Sequence, residues 1–164
     1  WVICIGDTPC CSVADEFGPI DQISPGNFVF YDVMQSQIGS CEITDIAVAL
    51  AAPIVAKYPS RNEFIIHGGA IHLSKEIFQS KEFSHYGMPV IINDDYSWSD
   101  PVENSYVKSI SQEHGIVKCQ STAVFNKLKI GDLLGILPVH SCLTADLMGE
   151  YYTLTGNKLN HIRM

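Results

Sequence analysis

The sequence has little positive charge. It has 10 lysines and arginines against 18 aspartates and glutamates in 164 residues, so the formal net charge is −8 at pH 7. Arg61 and Arg163 are the only arginines. No basic stripe is present to neutralise phosphates, and the composition therefore argues against a nucleic-acid partner.

Long apolar runs are also absent. No stretch approaches the roughly 20 residues that a membrane-spanning helix needs, so we predict that nothing crosses a membrane. The hydrophobic share of 46% is that of an ordinary globular domain, which excludes intrinsic disorder. The length is sufficient for one sizeable core.

Several familiar signatures are missing. No Gly-x-Ser-x-Gly elbow, P-loop or Rossmann fingerprint is present. The six cysteines lack the density and spacing of a disulfide scaffold, and no signal peptide precedes them. We therefore expect reduced thiols in a cytoplasmic protein.

Short strand-like segments separated by turn residues dominate the chain. The predicted strands are residues 28–31, 46–58, 63–67, 89–92, 106–111, 133–139, 151–154 and 158–162. The pattern predicts a mainly β fold, a closed or partly open β-barrel or a sandwich. Helix signals are weak and are confined to residues 74–80 and 144–148. The apolar run at residues 1–5 predicts a buried strand, which suggests that the chain has been cut from a longer one.

The sharpest chemical motif is the sequence PVHSC at the end of an apolar strand. In an extended chain, His140 and Cys142 point to the same side. An imidazole and a thiolate suit zinc, and two protein ligands leave positions open for water or substrate. The alternative is a polar histidine beside a structural cysteine.

Three further segments are candidates for a functional role. His114, between an acidic residue and a glycine, is either a general base or a surface histidine. Gly6 and Thr8 lie in a turn after the first strand, and Gly26 and Asn27 form a second turn; each is either a phosphate-binding turn or an ordinary one. The HGGA segment at residues 67–70 permits a close approach by a ligand or another backbone, or marks a β-bulge.

Read together, the segments resemble one enzyme family. They are GDTPCCS (6–12), ISPGNFVFYDVMQ (23–35), IVAKYPSRNEFIIHGGAIHLSKE (54–76), SQEHGIV (111–117) and KIGDLLGILPVHSCLTADLM (129–148). In this order they resemble the C-terminal part of the D-serine dehydratase and D-threonine aldolase family, which are pyridoxal-phosphate enzymes of the alanine-racemase fold type.

The resemblance implies a division of the chain. Residues 1–22 would be the end of a pyridoxal-phosphate-binding (β/α) barrel, with its last strand and phosphate turn. Residues 23–164 would be the C-terminal β domain that carries the metal site. The lysine of the Schiff base would lie upstream, so this chain alone would be inactive. The resemblance also implies a homodimer, with residues 79–104 as a candidate contact surface.

The resemblance assigns roles to the candidate residues. It implies zinc on His140 and Cys142, cofactor contacts from Gly6, Thr8, Gly26 and Asn27, and a catalytic role for His114. Ser24 stands where the racemases place an arginine, which argues against a racemase-type setting of the pyridine ring.

The implied activity is a pyridoxal-phosphate- and zinc-dependent D-amino acid lyase. The thiolate at position 142 favours a D-serine dehydratase, which converts D-serine to pyruvate and ammonia, because aldolase-type members tend to carry an aspartate there. The alternatives are aldolase cleavage of β-hydroxy-D-amino acids and a non-catalytic β module that binds a metal. A racemase is disfavoured, because racemisation needs no zinc on the β-substituent.

Overall fold

The computed structural model describes residues 1–79 and 83–160. In chain order the elements are β1 (Cys4–Ile5), α1 (Thr8–Val13), β2 (Gln22–Ile23), α2 (Val33–Gln37), β3 (Leu50–Tyr58), β4 (Glu63–Ile66), α3 (Ala70–Leu73), β5 (Phe78–Gln79), β6 (Ser84–His85), β7 (Gly87–Ile91), β8 (Tyr106–Ile110), β9 (Gly115–Lys118), α4 (Thr122–Lys127), β10 (Leu133–Pro138), α5 (Ser141–Met148), β11 (Glu150–Tyr152) and β12 (Lys158–Asn160). None of the helices in these two ranges has the length and apolar character to cross a bilayer.

Six of the strands form one antiparallel sheet in the order β7-β10-β3-β4-β9-β8. The sheet curls until its two edge strands, β7 and β8, approach each other. There the Tyr86 N–H, just before β7, donates to the Val107 carbonyl of β8 at 3.0 Å. The two edge strands therefore lie side by side, and the six strands form a nearly closed barrel. The mainly β architecture predicted from the sequence is confirmed.

The barrel interior follows the alternation of its strands. In β3, Leu50, Ala52 and Ile54 are buried at every second position, until a register shift follows Ile54. Phe64 of β4 is 1% exposed and stacks on Phe125 of α4 with ring centroids 4.7 Å apart. Burial of such a side chain stabilises the fold by about 1.5–3 kcal/mol.

The first 23 residues lie outside the barrel sheet and contain a two-stranded sheet of their own. β1 and β2 pair in parallel, with Cys4 opposite Gln22, and α1 lies between them in the chain. The predicted strand at residues 1–5 is shorter than expected and is not buried, because no part of the described chain covers it and Trp1 is fully exposed. The predicted boundary after residue 22 falls inside β2 and stays a prediction.

Two local predictions are wrong for physical reasons. Residues 28–31 form a turn, because Tyr31 adopts a left-handed backbone (φ 49°) just before the helix cap Asp32. The predicted helix at residues 74–80 is not formed over residues 74–79: α3 ends at Leu73, Ser74 has φ 67°, and Phe78–Gln79 is strand β5; residue 80 lies outside the described residues. Helices α1, α2 and α4 have only five or six residues each, too few to show a helical period.

The HGGA segment packs tightly against the turn between β8 and β9. Ala70 N–H donates to the Ser111 carbonyl at 2.9 Å, and a Cβ on Gly69 would lie 2.5 Å from the backbone of His114. Of the alternatives left open by the sequence, the structure therefore shows a close approach of another backbone.

We predict that Gly69→Ala destabilises the domain by about 1–3 kcal/mol, because the added methyl group would overlap main-chain atoms that cannot move aside. Urea unfolding of the polypeptide that carries this chain measures the change. Gly26→Ala is the matched control, because its Cβ would meet no atom within 4 Å. Equal stability of the two variants would contradict the prediction.

Candidate functional site

The two predicted metal ligands lie at the junction of β10 and α5. His140 has an extended backbone (φ −131°, ψ 103°) and immediately precedes the helix, whereas Cys142 is already helical. Between them Ser141 is completely buried, and its two neighbours are half-buried. The prediction that both ligands lie on one extended strand is therefore wrong, because the strand ends at Pro138 and α5 begins at Ser141.

A buried network of Thr8, Asn27, Asp32 and Ser141 connects this junction to the N-terminal part of the chain. The side chain of Asn27 donates to Asp32 Oδ2 at 2.5 Å and accepts from Ser141 Oγ at 2.6 Å. The backbone N–H of Ser141 also donates to Asp32 Oδ2, at 2.9 Å. The backbone N–H of Asn27 donates to Thr8 Oγ1 at 3.0 Å. The starts of α1, α2 and α5 are thereby held together.

Asp32 reaches this position because it caps α2. Its Oδ1 accepts from the Gln35 N–H at 2.9 Å, as an N-cap carboxylate does. The Met34 N–H donates to the Val139 carbonyl at 3.3 Å, which places the start of α2 beside the end of β10. Sequence reasoning missed Asp32, because the aromatic residues before it predicted a strand. The available signal was an aspartate at the N-cap position of a short helix.

The environment of Cys142 disfavours the thiolate in the absence of a cation. Burial raises the pKa of the Cys142 thiol, the negative charge of Asp32 raises it further, and a hydrogen bond with Ser141 acts in the opposite direction. Its Sγ lies 3.7 Å from the Gly26 carbonyl oxygen. A bound metal ion would displace the thiol proton, because the thiolate is the form that ligates.

The ligand pair fits a zinc ion with open positions. One imidazole and one thiol form a borderline-soft donor set that suits zinc. Within residues 1–79 and 83–160, no group of three or more His, Cys, Asp or Glu side chains is arranged to hold a metal. A closed structural zinc site is therefore not built there, and a cation on His140 and Cys142 would keep positions for external ligands.

The predicted phosphate turns lie side by side. A Cβ on Gly6 would lie 3.3 Å from Ser24 Oγ, and Thr8 contacts Asn27 directly. The backbone N–H and the side chain of Asn27 are already used in the buried network, whereas the hydroxyl of Thr8 accepts there and keeps its proton to donate. Thr8 and the small residue Gly26 therefore fit a phosphate better than Asn27 does.

His114 lies elsewhere. It occupies the turn between β8 and β9, is exposed, and has its ring 5.6 Å from that of His67. The rings of His67 and His72 are 4.8 Å apart, so the three residues form a histidine cluster. The structure thus gathers Gly6, Thr8, Gly26, Asn27, His140 and Cys142 around or beside the buried network, and it groups His114 with the other histidines.

Comparison with known proteins identifies the family of the chain. Residues 47–154 match the model of the putative serine dehydratase domain. The chain belongs to this domain family.

Individual relatives are enzymes of greater length. D-serine dehydratase from Dictyostelium discoideum is 34% identical over 94% of this chain, and the match covers 40% of that enzyme. An Ala racemase-like protein from Idiomarina loihiensis superposes with a TM-score of 0.81 and 24% identity, over 96% of this chain and 42% of that protein. A cysteine-to-alanine mutant of D-threo-3-hydroxyaspartate dehydratase, in the metal-free form, superposes with a TM-score of 0.79 and 22% identity, over 96% and 42% of the two chains. The fold is alanine-racemase-like, and the chain spans about two fifths of the length of these relatives.

The histidine cluster contains His67, the first residue of the HGGA segment, and His72, whose pKa is lowered. His72 Nδ1 accepts from the Gly69 N–H at 3.2 Å. Burial lowers the pKa of His72 below its ordinary value, the neighbouring His67 and His114 lower it further, and Glu113 opposes them. Since the folded state binds this proton less readily than the unfolded state, the contribution of His72 to stability is present above the ordinary histidine pKa and is lost as the pH falls.

We predict that His72→Gln makes the free energy of unfolding less dependent on pH between about pH 7 and pH 5, because one group with a lowered pKa no longer titrates. Urea unfolding at a series of pH values measures the slope. A slope identical to that of the unaltered protein would show that His72 takes up its proton equally in both states.

Proposed function

We propose that the chain is the C-terminal domain of a pyridoxal-phosphate- and zinc-dependent D-amino acid dehydratase that acts on D-serine or a similar β-hydroxy-D-amino acid. The observation that carries this proposal is the buried network, which ties the His140–Cys142 junction to the Thr8 turn. Relatives named D-serine dehydratase and D-threo-3-hydroxyaspartate dehydratase support it. The metal-free cysteine mutant of the latter supports a cysteine ligand.

The metal pair would bind and orient the substrate. His140 would supply an imidazole nitrogen, and Cys142 would lose its proton and supply a thiolate. Zinc, when bound, acts as a Lewis acid that makes a β-hydroxyl a better leaving group. The buried Ser141 holds the two ligands at the start of α5, because both its backbone N–H and its hydroxyl are fixed by the network.

The N-terminal turns would hold the cofactor phosphate. Thr8 would donate its hydroxyl proton to a phosphate oxygen, and the backbone at Gly6 and Gly26 would approach without a side chain in the way. Asn27 would position Thr8 rather than bind phosphate through its own side chain. Pyridoxal phosphate, when bound, supplies an electron sink for loss of the α-proton. The predicted catalytic role of His114 remains a proposal that does not depend on this network.

The rest of the enzyme would lie upstream. The proposed (β/α) barrel would carry the Schiff-base lysine and would cover the exposed apolar residues Trp1, Val2 and Ile3 beside β1. Homodimerisation and a cytoplasmic location belong to the same proposal.

We predict that Cys142→Ala abolishes both zinc binding and pyruvate release from D-serine in the longer polypeptide that carries this chain. Loss of one of two protein ligands removes the thiolate that the ion requires. Metal content by atomic absorption and pyruvate by a coupled assay measure the two effects. Cys41→Ala is the matched control, because Cys41 is also a half-buried free thiol, and both properties should survive there.

Two results would contradict the proposal. Unchanged zinc content and pyruvate release in Cys142→Ala would exclude Cys142 as a ligand. Chelator-sensitive release of glycine and an aldehyde from D-threonine by the unaltered polypeptide, without pyruvate from D-serine, would assign an aldolase activity instead.

A further inference from the structure

Asp32 carries a buried charge that no basic side chain of the described chain balances. Its side chain belongs to a residue that is 1% exposed. The ion pairs among residues 1–79 and 83–160 involve Glu63 and Glu150, and none involves Asp32. Burial of a carboxylate is costly unless hydrogen bonds and an opposite charge compensate it. Three hydrogen bonds are present, and the opposite charge is missing.

Helix capping accounts for only one of the two carboxylate oxygens. Oδ1 accepts from the Gln35 N–H, which an asparagine, serine or threonine at this position would also achieve. Oδ2 faces the other way and accepts from Asn27 Nδ2 and from the Ser141 N–H. The second oxygen therefore serves something other than the cap of α2.

The contacts of Oδ2 indicate this second role of Asp32. It fixes the backbone of Ser141, the residue between the two proposed metal ligands. A divalent cation bound to a neutral histidine and one thiolate retains one net positive charge, and Asp32 brings one negative charge. The cation would therefore supply the compensation that the protein lacks, and Asp32 would reduce the cost of placing the cation in a half-buried position.

We propose that Asp32 is a positioning residue for the metal, which balances the charge of the cation on His140 and Cys142 and fixes the peptide between them. The proposal rests on the proposed function, because it requires a cation at that pair. Through Asn27 the same carboxylate is tied to Thr8, so the metal and phosphate sites share one anchor.

Three variants of the longer polypeptide test how much the charge of Asp32, at constant side-chain size, contributes to metal binding. Asp32→Asn retains the size of the side chain and one oxygen for the Gln35 N–H; it removes the charge and replaces Oδ2, the acceptor of the Ser141 N–H, with an amide NH2. The double variant Asn27→Asp/Asp32→Asn returns one carboxylate to the same network. Asp132→Asn is the control, because Asp132 is an exposed turn carboxylate that accepts from the Lys129 N–H at 2.8 Å, at the opposite end of β10 from the site.

The measurements are zinc affinity, by competition with a chelating indicator, and the thiolate-to-cobalt absorption band after Co²⁺ substitution. We expect Asp32→Asn to weaken zinc binding about 10- to 100-fold, as loss of an outer-shell partner typically does. The cobalt band should persist at saturating Co²⁺, which shows that Cys142 still ligates. The double variant should recover the part of the affinity that depends on the negative charge, and Asp132→Asn should bind zinc like the unaltered protein.

Unchanged zinc affinity in Asp32→Asn would overturn the inference, and so would a loss that the double variant does not recover. Failure of the proposed function has a different signature. In that case the unaltered polypeptide would bind zinc no better than its His140→Ala and Cys142→Ala variants do.

Discussion

The site depends on one hydrogen bond, from the Ser141 N–H to Asp32 Oδ2. Around it the chain assembles three helix starts, the end of a barrel strand and the turn after β2. Because the donor is a main-chain group, almost any residue at position 141 would preserve the contact, whereas the acceptor must be an oxygen at position 32. The serine hydroxyl then adds the link to Asn27, which gives the buried Ser141 Oγ an acceptor.

The barrel supplies the stability of the domain, and the polar network orients the residues of the candidate site. Six antiparallel strands, with apolar side chains at alternate positions, supply a stiff support whose stability comes from burial rather than from polar contacts. The candidate site lies where β10 ends, so the proposed metal ligands follow directly on a strand whose position the barrel fixes. The polar network is then needed only to orient a few residues at the exit of the strand.

Strands and turns could be predicted from the sequence, whereas the long-range contacts of the candidate site could not. The strand β3 and the turn after it could be predicted, because a long apolar run that stops at a cluster of turn residues is a local pattern. The sequence indicated His140 and Cys142 as a candidate metal pair. It did not indicate that Cys142 is helical, because the apolar strand before the pair predicted an extended chain. Asp32 was missed altogether, since its partners Asn27 and Ser141 come from distant parts of the chain and no local pattern connects them. The resemblance to a family supplied the proposal that the turns at Gly6–Thr8 and Gly26–Asn27 bind phosphate, which spacing alone left ambiguous.

The long sequence separation within the network has a consequence for folding. The contacts of Ser141 with Asp32 and Asn27 span 109 and 114 residues of chain, and closure of such a loop carries a large entropic cost that local contacts do not share. Such pairings are expected to form late, after the hairpins of the barrel have brought β10 into place. His140 and Cys142, only two residues apart, are available to an ion before that, but the carboxylate that completes their surroundings arrives with the last stage of folding. Tight retention of the ion would then be a property of the finished domain and not of the nascent chain.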